Sequence, residues 1–183
     1  MMNLLMKRKA WLRAARMLAI CFVMMGAVMA ASPDVRAQKC GCTVDKINQS
    51  VRFTVNNCPV TVKYQKWTCP VGIETAYITE ISFENTGCCV RNYNNGTIAQ
   101  LVQSISVELM VQNPGVFTTG VPVRVSKSPC WQRTSTSTAN LLVECVSTEC
   151  CWIEGTAGSY SGVTGRSFTI PPPCATPCEY VCE

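Results

Sequence analysis

Residues 51–67 read VRFTVNNCPVTVKYQKW, and this stretch decides the fold class. Apolar and polar residues alternate on both sides of the sequence Asn56-Asn57-Cys58-Pro59, so that each flank can bury one face of a strand. Asparagine and proline are common turn residues. The stretch therefore predicts a β-hairpin with strands at 51–55 and 60–67.

The same alternation recurs in TAYITEISF, which predicts a third strand over residues 75–83. Shorter runs predict further strands at 121–125, 141–146, 151–154 and 167–170. Two stretches rich in Gly, Ser and Thr, residues 126–140 and 154–167, are typical of loops. Repeated crossover helices, which parallel strands need, are lacking. The predicted fold is therefore mainly β, an antiparallel sheet or a β-sandwich-like domain.

One segment departs from the strand pattern. Between Thr97 and Met110, apolar residues stand at positions 98, 101, 102, 105 and 109, and this spacing of three and four is typical of a helix face. Asn94-Asn95-Gly96 and Asn113-Pro114-Gly115 supply start and stop signals. A strand is the alternative, because residues 105, 107 and 109 also alternate. We favour the helix and expect one packed helix near 97–112.

The N-terminus has the features of a secretory signal peptide. A basic segment, MKRKAWLRAAR (6–16), precedes the uncharged apolar run MLAICFVMMGAVMAA (17–31), and small residues lead to Val35-Arg36-Ala37. The run is shorter than the roughly 20 residues that span a bilayer. Residues 1–37 are therefore predicted to be the signal, with cleavage after Ala37 or after Ala30. We expect no transmembrane segment in the mature chain, which we place outside the cell, on its surface or in the periplasm.

Removal of the leader changes the charge of the chain. Residues 1–37 contain six of the sixteen Lys and Arg residues and one of the eleven Asp and Glu residues, so that ten of each remain. Nucleic-acid binding requires a surplus of Lys and Arg. The neutral mature chain is therefore predicted to bind no nucleic acid. Its length suits one domain, which we place at 38–170, followed by a Pro/Cys-rich tail at 171–183.

Thirteen of the fourteen cysteines follow the leader, a density typical of an exported disulfide framework. Structural disulfides, with pairing left open, are predicted for Cys40, Cys42, Cys58, Cys69, Cys88, Cys89, Cys130, Cys145, Cys150, Cys151, Cys174, Cys178 and Cys182. The adjacent pairs 88/89 and 150/151 are expected to bond outward, because neighbouring residues of a strand point to opposite faces. The odd number indicates one cysteine that is free, capped or bonded to a second chain, which would allow self-association.

The tail PPPCATPCEYVCE (171–183) repeats cysteine at every fourth position. On a helix the three sulfur atoms would share a face and resemble a metal or redox site. The chain contains no histidine and no C-x2-C pair, which are the usual parts of zinc and thiol–disulfide centres. We therefore predict that the tail cysteines anchor a terminus to the body of the protein, and we predict no metal and no cofactor.

Catalytic motifs are scarce. Histidine is absent, and the mature chain has one aspartate, Asp45, so a hydrolase would depend on glutamates such as Glu80 and Glu84. Each of Trp67, Trp131 and Trp152 lies within two residues of a cysteine. These rings would either pack on disulfides in the core or form a surface for a glycan or protein partner.

The sequence therefore predicts a secreted, disulfide-stabilised structural or interaction protein of the cell surface or matrix, with no catalytic residues indicated. The alternatives are an extracellular hydrolase with a glutamate-based site and a cysteine-based metal or thiol protein. The three hypotheses differ in what they require of the cysteines and glutamates: oxidised sulfurs, two converging carboxylates, or several free thiols.

Overall fold

A computed structural model describes residues 38–39, 42–43, 48–69, 72–145 and 149–182. Its helices are α1 (Gly87–Asn95) and α2 (Ile98–Gln112). Its strands are β1 (Gln38–Lys39), β2 (Cys42–Thr43), β3 (Asn48–Val55), β4 (Cys58–Thr68), β5 (Glu74–Glu84), β6 (Pro122–Lys127), β7 (Cys130–Ser135), β8 (Ala139–Glu144), β9 (Cys151–Thr156), β10 (Ser159–Arg166) and β11 (Glu179–Tyr180). The prediction of a mainly β, disulfide-rich fold is confirmed.

The hairpin predicted from residues 51–67 forms between β3 and β4. Asn56 and Asn57 connect the strands, with φ angles of 51° and 60°. Positive φ at both central residues is typical of the type I′ turn, whose twist matches that of the two strands. All eight residues of β3 pair with β4 without a shift in register. The asparagines therefore set a tight turn that holds the alternating apolar residues on one face.

Nine strands, β3 to β11, form one open sheet that divides at β5. One edge of β5 pairs with β4 along nearly its whole length. On the other edge, residues 74–78 pair in parallel with β6, and residues 80–84 pair antiparallel with β8. We call this change of neighbour at Thr79 the fork. The β6 branch continues to β9 and β10, and the β8 branch continues to β7 and β11. The sheet is thus mixed, because α1 and α2 connect β5 to its parallel neighbour.

The helix predicted near 97–112 is present as α2. It begins with a capping box, in which the Thr97 side chain accepts from the Gln100 N–H and the Gln100 side chain accepts from the Thr97 N–H. Its buried residues include Ile98, Val102, Ile105 and Leu109, which share one core with alternate residues of the strands. The three-and-four spacing thus identified the face that packs against the sheet.

The other helix, α1, was not predicted, because its sequence GCCVRNYNN lacks helix periodicity. Contacts with the rest of the fold hold it in place. Cys89 is bonded to Cys58 of β4, and the buried Tyr93 ring contacts Phe83 of β5. The Arg133 guanidinium donates to backbone carbonyls of residues 93 and 96 at the C-terminal end of α1. The helix therefore depends on tertiary contacts that residue spacing does not reveal.

Several predicted boundaries are wrong. The predicted loop at 126–140 contains the end of β6 and all of β7, and the predicted loop at 154–167 contains β10. The predicted strand at 167–170 is irregular chain. Contacts with distant parts of the fold determine whether these segments form strands. Trp131 of β7 is buried in the core, whereas residues 167–170 have no strand partner among the described residues. Strand β8 ends at Glu144, and residue 146 of the predicted strand lies outside the described residues.

Candidate functional site

A β-bulge where β4 meets β5 shapes the best candidate site. Lys63 pairs with Glu80 and the next residue, Tyr64, pairs with Ile78, which leaves Thr79 as an extra residue on β5. The Thr79 hydroxyl donates to the Lys63 carbonyl across the strands at 3.2 Å. A bulge bends its strand and redirects side chains, and bulges are frequent next to binding sites.

A pocket of about 440 Å³ opens beside this bulge. We call it the bulge pocket; its lining residues are Asn48, Gln49, Ser50, Lys63, Tyr64, Gln65 and Thr79. Its volume lies within the range of small-ligand sites. Three of the lining side chains carry carboxamides and three carry hydroxyls, so the pocket offers both hydrogen-bond donors and acceptors.

The charges at the bulge pocket are paired. Lys63 Nζ lies 2.8 Å from Glu80 Oε1, so the cation is balanced by a neighbouring carboxylate. Gln65 Nε2 donates to Asn48 Oδ1 at 3.1 Å, which orients the two amides. Burial raises the pKa of the Tyr64 phenol, which therefore stays neutral. The arrangement suits a ligand that is polar and neutral.

The tail cysteines, Cys174, Cys178 and Cys182, are separated from one another by the fold. They form disulfides with Cys130, Cys145 and Cys151 respectively. Cys130 begins β7, Cys145 follows β8, and Cys151 begins β9. The regular spacing in the sequence therefore reflects three anchors to different strands, not three sulfurs on one face.

Of the remaining predicted disulfide cysteines, Cys58 and Cys89 are bonded to each other, and Cys69 and Cys150 are also disulfide-bonded. The bonds of Cys89 and Cys151 run outward from their adjacent pairs, as expected. Cys40 lies outside the described residues, as do the side chains of Cys42 and Cys88. Disulfides on this scale persist in oxidising compartments, so the protein is compatible with an extracellular location.

The three tryptophans singled out from the sequence occupy different environments. Trp131 is fully buried and its indole N–H donates to the Ser128 carbonyl, and Trp67 is 6% exposed and contacts the Tyr77 ring. Neither offers a ring face to a large ligand. Trp152 is half-buried, with the Arg124 guanidinium 4.6 Å from its ring centre. The three side chains do not form one surface.

The glutamates proposed for a hydrolytic site are engaged with cations of neighbouring strands. Glu80 pairs with Lys63 and Glu84 pairs with Arg52. Two carboxylates that converge on a substrate would need a different arrangement. Among the described residues, no three His, Cys, Asp or Glu side chains lie close enough together to hold a metal ion.

A second polar group of residues lies inside the fold near the fork. The Tyr77 hydroxyl donates to the Glu144 carboxylate, and burial together with this carboxylate raises the pKa of the phenol well above its ordinary value. The Ser128 hydroxyl donates to the Cys145 carbonyl at 3.1 Å. Tyr77 and Ser128 are buried and Glu144 is half-buried, and their hydrogen bonds hold the two branches of the sheet together.

The bulge pocket was not predicted from the sequence, although its residues flank the predicted hairpin. Comparison of the chain with protein-family models, with curated proteins and with solved structures finds no match. In the part of the chain that the structure describes, neither helix has the length and apolar character of a membrane-spanning segment. The disulfides and the bulge pocket are therefore the features of the described chain that bear on its function.

Proposed function

We propose that this chain is an exported, disulfide-stabilised interaction protein that binds a neutral, hydroxyl-rich ligand, such as a surface glycan, in the bulge pocket. In this proposal residues 1–37 are the secretory signal, and the mature chain works outside the cell, on its surface or in the periplasm. The observation that carries the proposal is the pocket lining, in which amides and hydroxyls surround a lysine whose charge is already paired.

The chemistry of the lining supports this class of ligand. Sugar hydroxyls both donate and accept hydrogen bonds, and carboxamides such as those of Asn48 and Gln65 match both functions. A phosphate or carboxylate ligand would have to compete with Glu80 for Lys63, which lies 2.8 Å from that carboxylate. Binding should therefore depend little on salt concentration, since exposed charge attraction is what salt screens.

The cysteine bonds support export. The disulfides at Cys58–Cys89, Cys130–Cys174, Cys145–Cys178 and Cys151–Cys182 would be reduced by the thiol systems of most cytosols. The intact mass of the protein from the exported fraction, measured with and without thiol alkylation, tests this part. We expect a chain that begins at Gln38 or at Ala31, with one alkylated cysteine or a disulfide-linked pair of chains. A full-length chain with many free thiols would contradict export.

The ligand class is tested on an array of neutral and acidic oligosaccharides, with calorimetric titration of the hits. We expect neutral glycans to bind and the double change Asn48→Ala/Gln65→Ala to weaken binding by at least about tenfold, the equivalent of one or two lost hydrogen bonds. Gln132→Ala is the matched control, because it removes an amide from β7 outside the pocket. Equal losses in both variants, or a preference for acidic glycans that disappears with salt, would contradict the proposal.

A further inference from the structure

The nine-stranded sheet ends in three edge strands, and two of them carry features that prevent pairing with another chain. In β10 the register shifts between Tyr160 and Val163, and Gly162 has a φ of 78°. The third edge strand, β11, has only two residues and follows a proline-rich segment. Bulges, short strands and prolines are the usual means by which proteins block sheet edges.

The remaining edge, β3, has none of these features. It pairs with β4 over eight residues in unbroken register, contains no proline, and carries a single charged residue, Arg52. Among the described strands its only partner is β4. A long edge strand of this kind presents unpaired backbone groups that another strand can bind.

The hairpin turn determines which backbone groups of β3 face outward. In a hairpin with a two-residue turn, the residues that flank the turn, here Val55 and Cys58, bond to each other. Alternation then directs the N–H and C=O groups of Asn48, Ser50, Arg52 and Thr54 away from β4. The Thr54 carbonyl already accepts from the Gln112 side chain of α2 at 2.7 Å. The open part of the edge is therefore 48–52.

We propose that a second copy of this chain pairs antiparallel with β3 along residues 48–52, with the two-fold axis at Ser50. Ser50 then lies opposite the copy's own residue 50, and Asn48 lies opposite the copy's residue 52. An axis at Arg52 would place two cations opposite each other, which is unfavourable. An axis at Val51 would pair Asn48 with Thr54 and displace Gln112 from the Thr54 carbonyl.

This pairing also limits the size of the assembly. Each copy contributes the same edge strand, β3, and the interface is the same patch on both copies. Such an isologous contact closes as a dimer, whereas pairing between two different edges would continue as a fibre. Asn48, Gln49 and Ser50 also line the bulge pocket, so the dimer would bring the two pockets to the same interface.

Sedimentation equilibrium of the exported protein over a range of concentrations tests the dimer. The variant Ser50→Lys places two like charges at the axis, and we expect it to weaken dimerisation by at least about tenfold. Thr164→Lys is the matched control, because it puts the same change on an exposed hydroxyl residue of the blocked edge strand β10. Its dimer affinity should equal that of the unmodified protein.

Amide hydrogen exchange supplies a second readout that does not depend on a variant. The outward N–H groups of Ser50 and Arg52 should exchange more slowly as protein concentration rises. A protein that stays monomeric at millimolar concentration overturns the proposal. So does a dimer that survives Ser50→Lys, and so does a dimer that persists in detergent until reductant is added, since that dimer is linked by a cysteine.

Discussion

The carboxylate of Glu74 should hold the loop between α2 and β6 in place, and its removal should be measurable as a loss of stability that depends on pH. Glu74 lies at the start of β5, and its side chain is 16% exposed. It accepts from the Thr118 N–H at 2.9 Å, from the Thr118 hydroxyl at 2.7 Å and from Lys66 Nζ at 3.1 Å. Lys66 also donates to the Val116 carbonyl at 2.7 Å. The Glu74 carboxylate thus holds Thr118 of the loop directly and holds Val116 through Lys66.

The expected magnitude follows from these contacts. Hydrogen bonds to a charged group contribute about 1.5–3 kcal/mol each, and Glu74→Gln keeps one acceptor but turns an amide N–H₂ toward another donor. We therefore expect Glu74→Gln to lower the free energy of unfolding by about 2–3 kcal/mol at neutral pH. Glu84→Gln is the control, because its ion pair with Arg52 is exposed on both sides and should contribute less than about 1 kcal/mol.

The pH dependence identifies the charge as the cause. Burial alone would raise the pKa of Glu74, but the hydrogen bonds from Thr118 and the nearby Lys66 charge lower it below its ordinary value of 4.5. A carboxyl with a lowered folded pKa stabilises the protein above its unfolded pKa, and this stabilisation disappears as the pH falls through the folded pKa. The stability difference between the native protein and Glu74→Gln should therefore be fully present near neutral pH and should shrink as the pH falls through the lowered pKa of the folded state.

Urea unfolding followed by tryptophan fluorescence, with disulfides intact, is the appropriate assay. Guanidinium is unsuitable because as a salt it would screen the Lys66–Glu74 attraction. If Glu74→Gln lost the same free energy at neutral and acidic pH, the loss would come from packing, and the reasoning would be wrong. A loss no larger than that of Glu84→Gln would also refute it.

Three further predictions concern the backbone and the disulfides. Gly165→Ala places a Cβ 2.5 Å from the Trp152 indole, so we expect the free energy of unfolding in urea to fall by about 1–3 kcal/mol and the tryptophan emission to shift. Gly87→Ala is the control: it lies in open space at the start of α1 and should be neutral or stabilising. Replacing Cys58 and Cys89 with alanine opens a cross-link that spans 31 residues and should cost about 3–4 kcal/mol in the same assay. Peptide mapping without reduction should link Cys174 to Cys130, Cys178 to Cys145 and Cys182 to Cys151; any peptide that links two tail cysteines would contradict the fold of the tail.

The elements that could be predicted from the sequence are those whose own residues carry the signal. The β3–β4 hairpin has alternation on both strands and two asparagines at the turn. The α2 helix has a capping box and an apolar face at three-and-four spacing. In both cases local preference and burial point to the same structure, which is when sequence reasoning succeeds.

The elements that escaped prediction depend on partners that are distant in the sequence. Strand β10 is largely exposed and rich in glycine, and it forms because β9 pairs with it and because Gly165 leaves room for the Trp152 ring. Helix α1 has no periodic face and is held by a disulfide and by Arg133. The bulge pocket depends on a one-residue difference in register between β4 and β5, and no property of either strand alone reveals that difference.

Thr79 connects the pocket to the architecture of the whole sheet. It is the extra residue of the bulge on one edge of β5, and on the other edge it marks the fork where β6 gives way to β8. A bulge bends a strand and redirects its side chains, so the residue at the fork is also the residue that shapes the pocket. Because β6 and β8 pair with successive parts of the same edge of β5, no backbone ladder joins the two branches among the described strands. Cys182 is bonded to the β6–β9 branch, while Cys174 and Cys178 are bonded to the β7–β8 branch, so the tail links the two branches through covalent bonds.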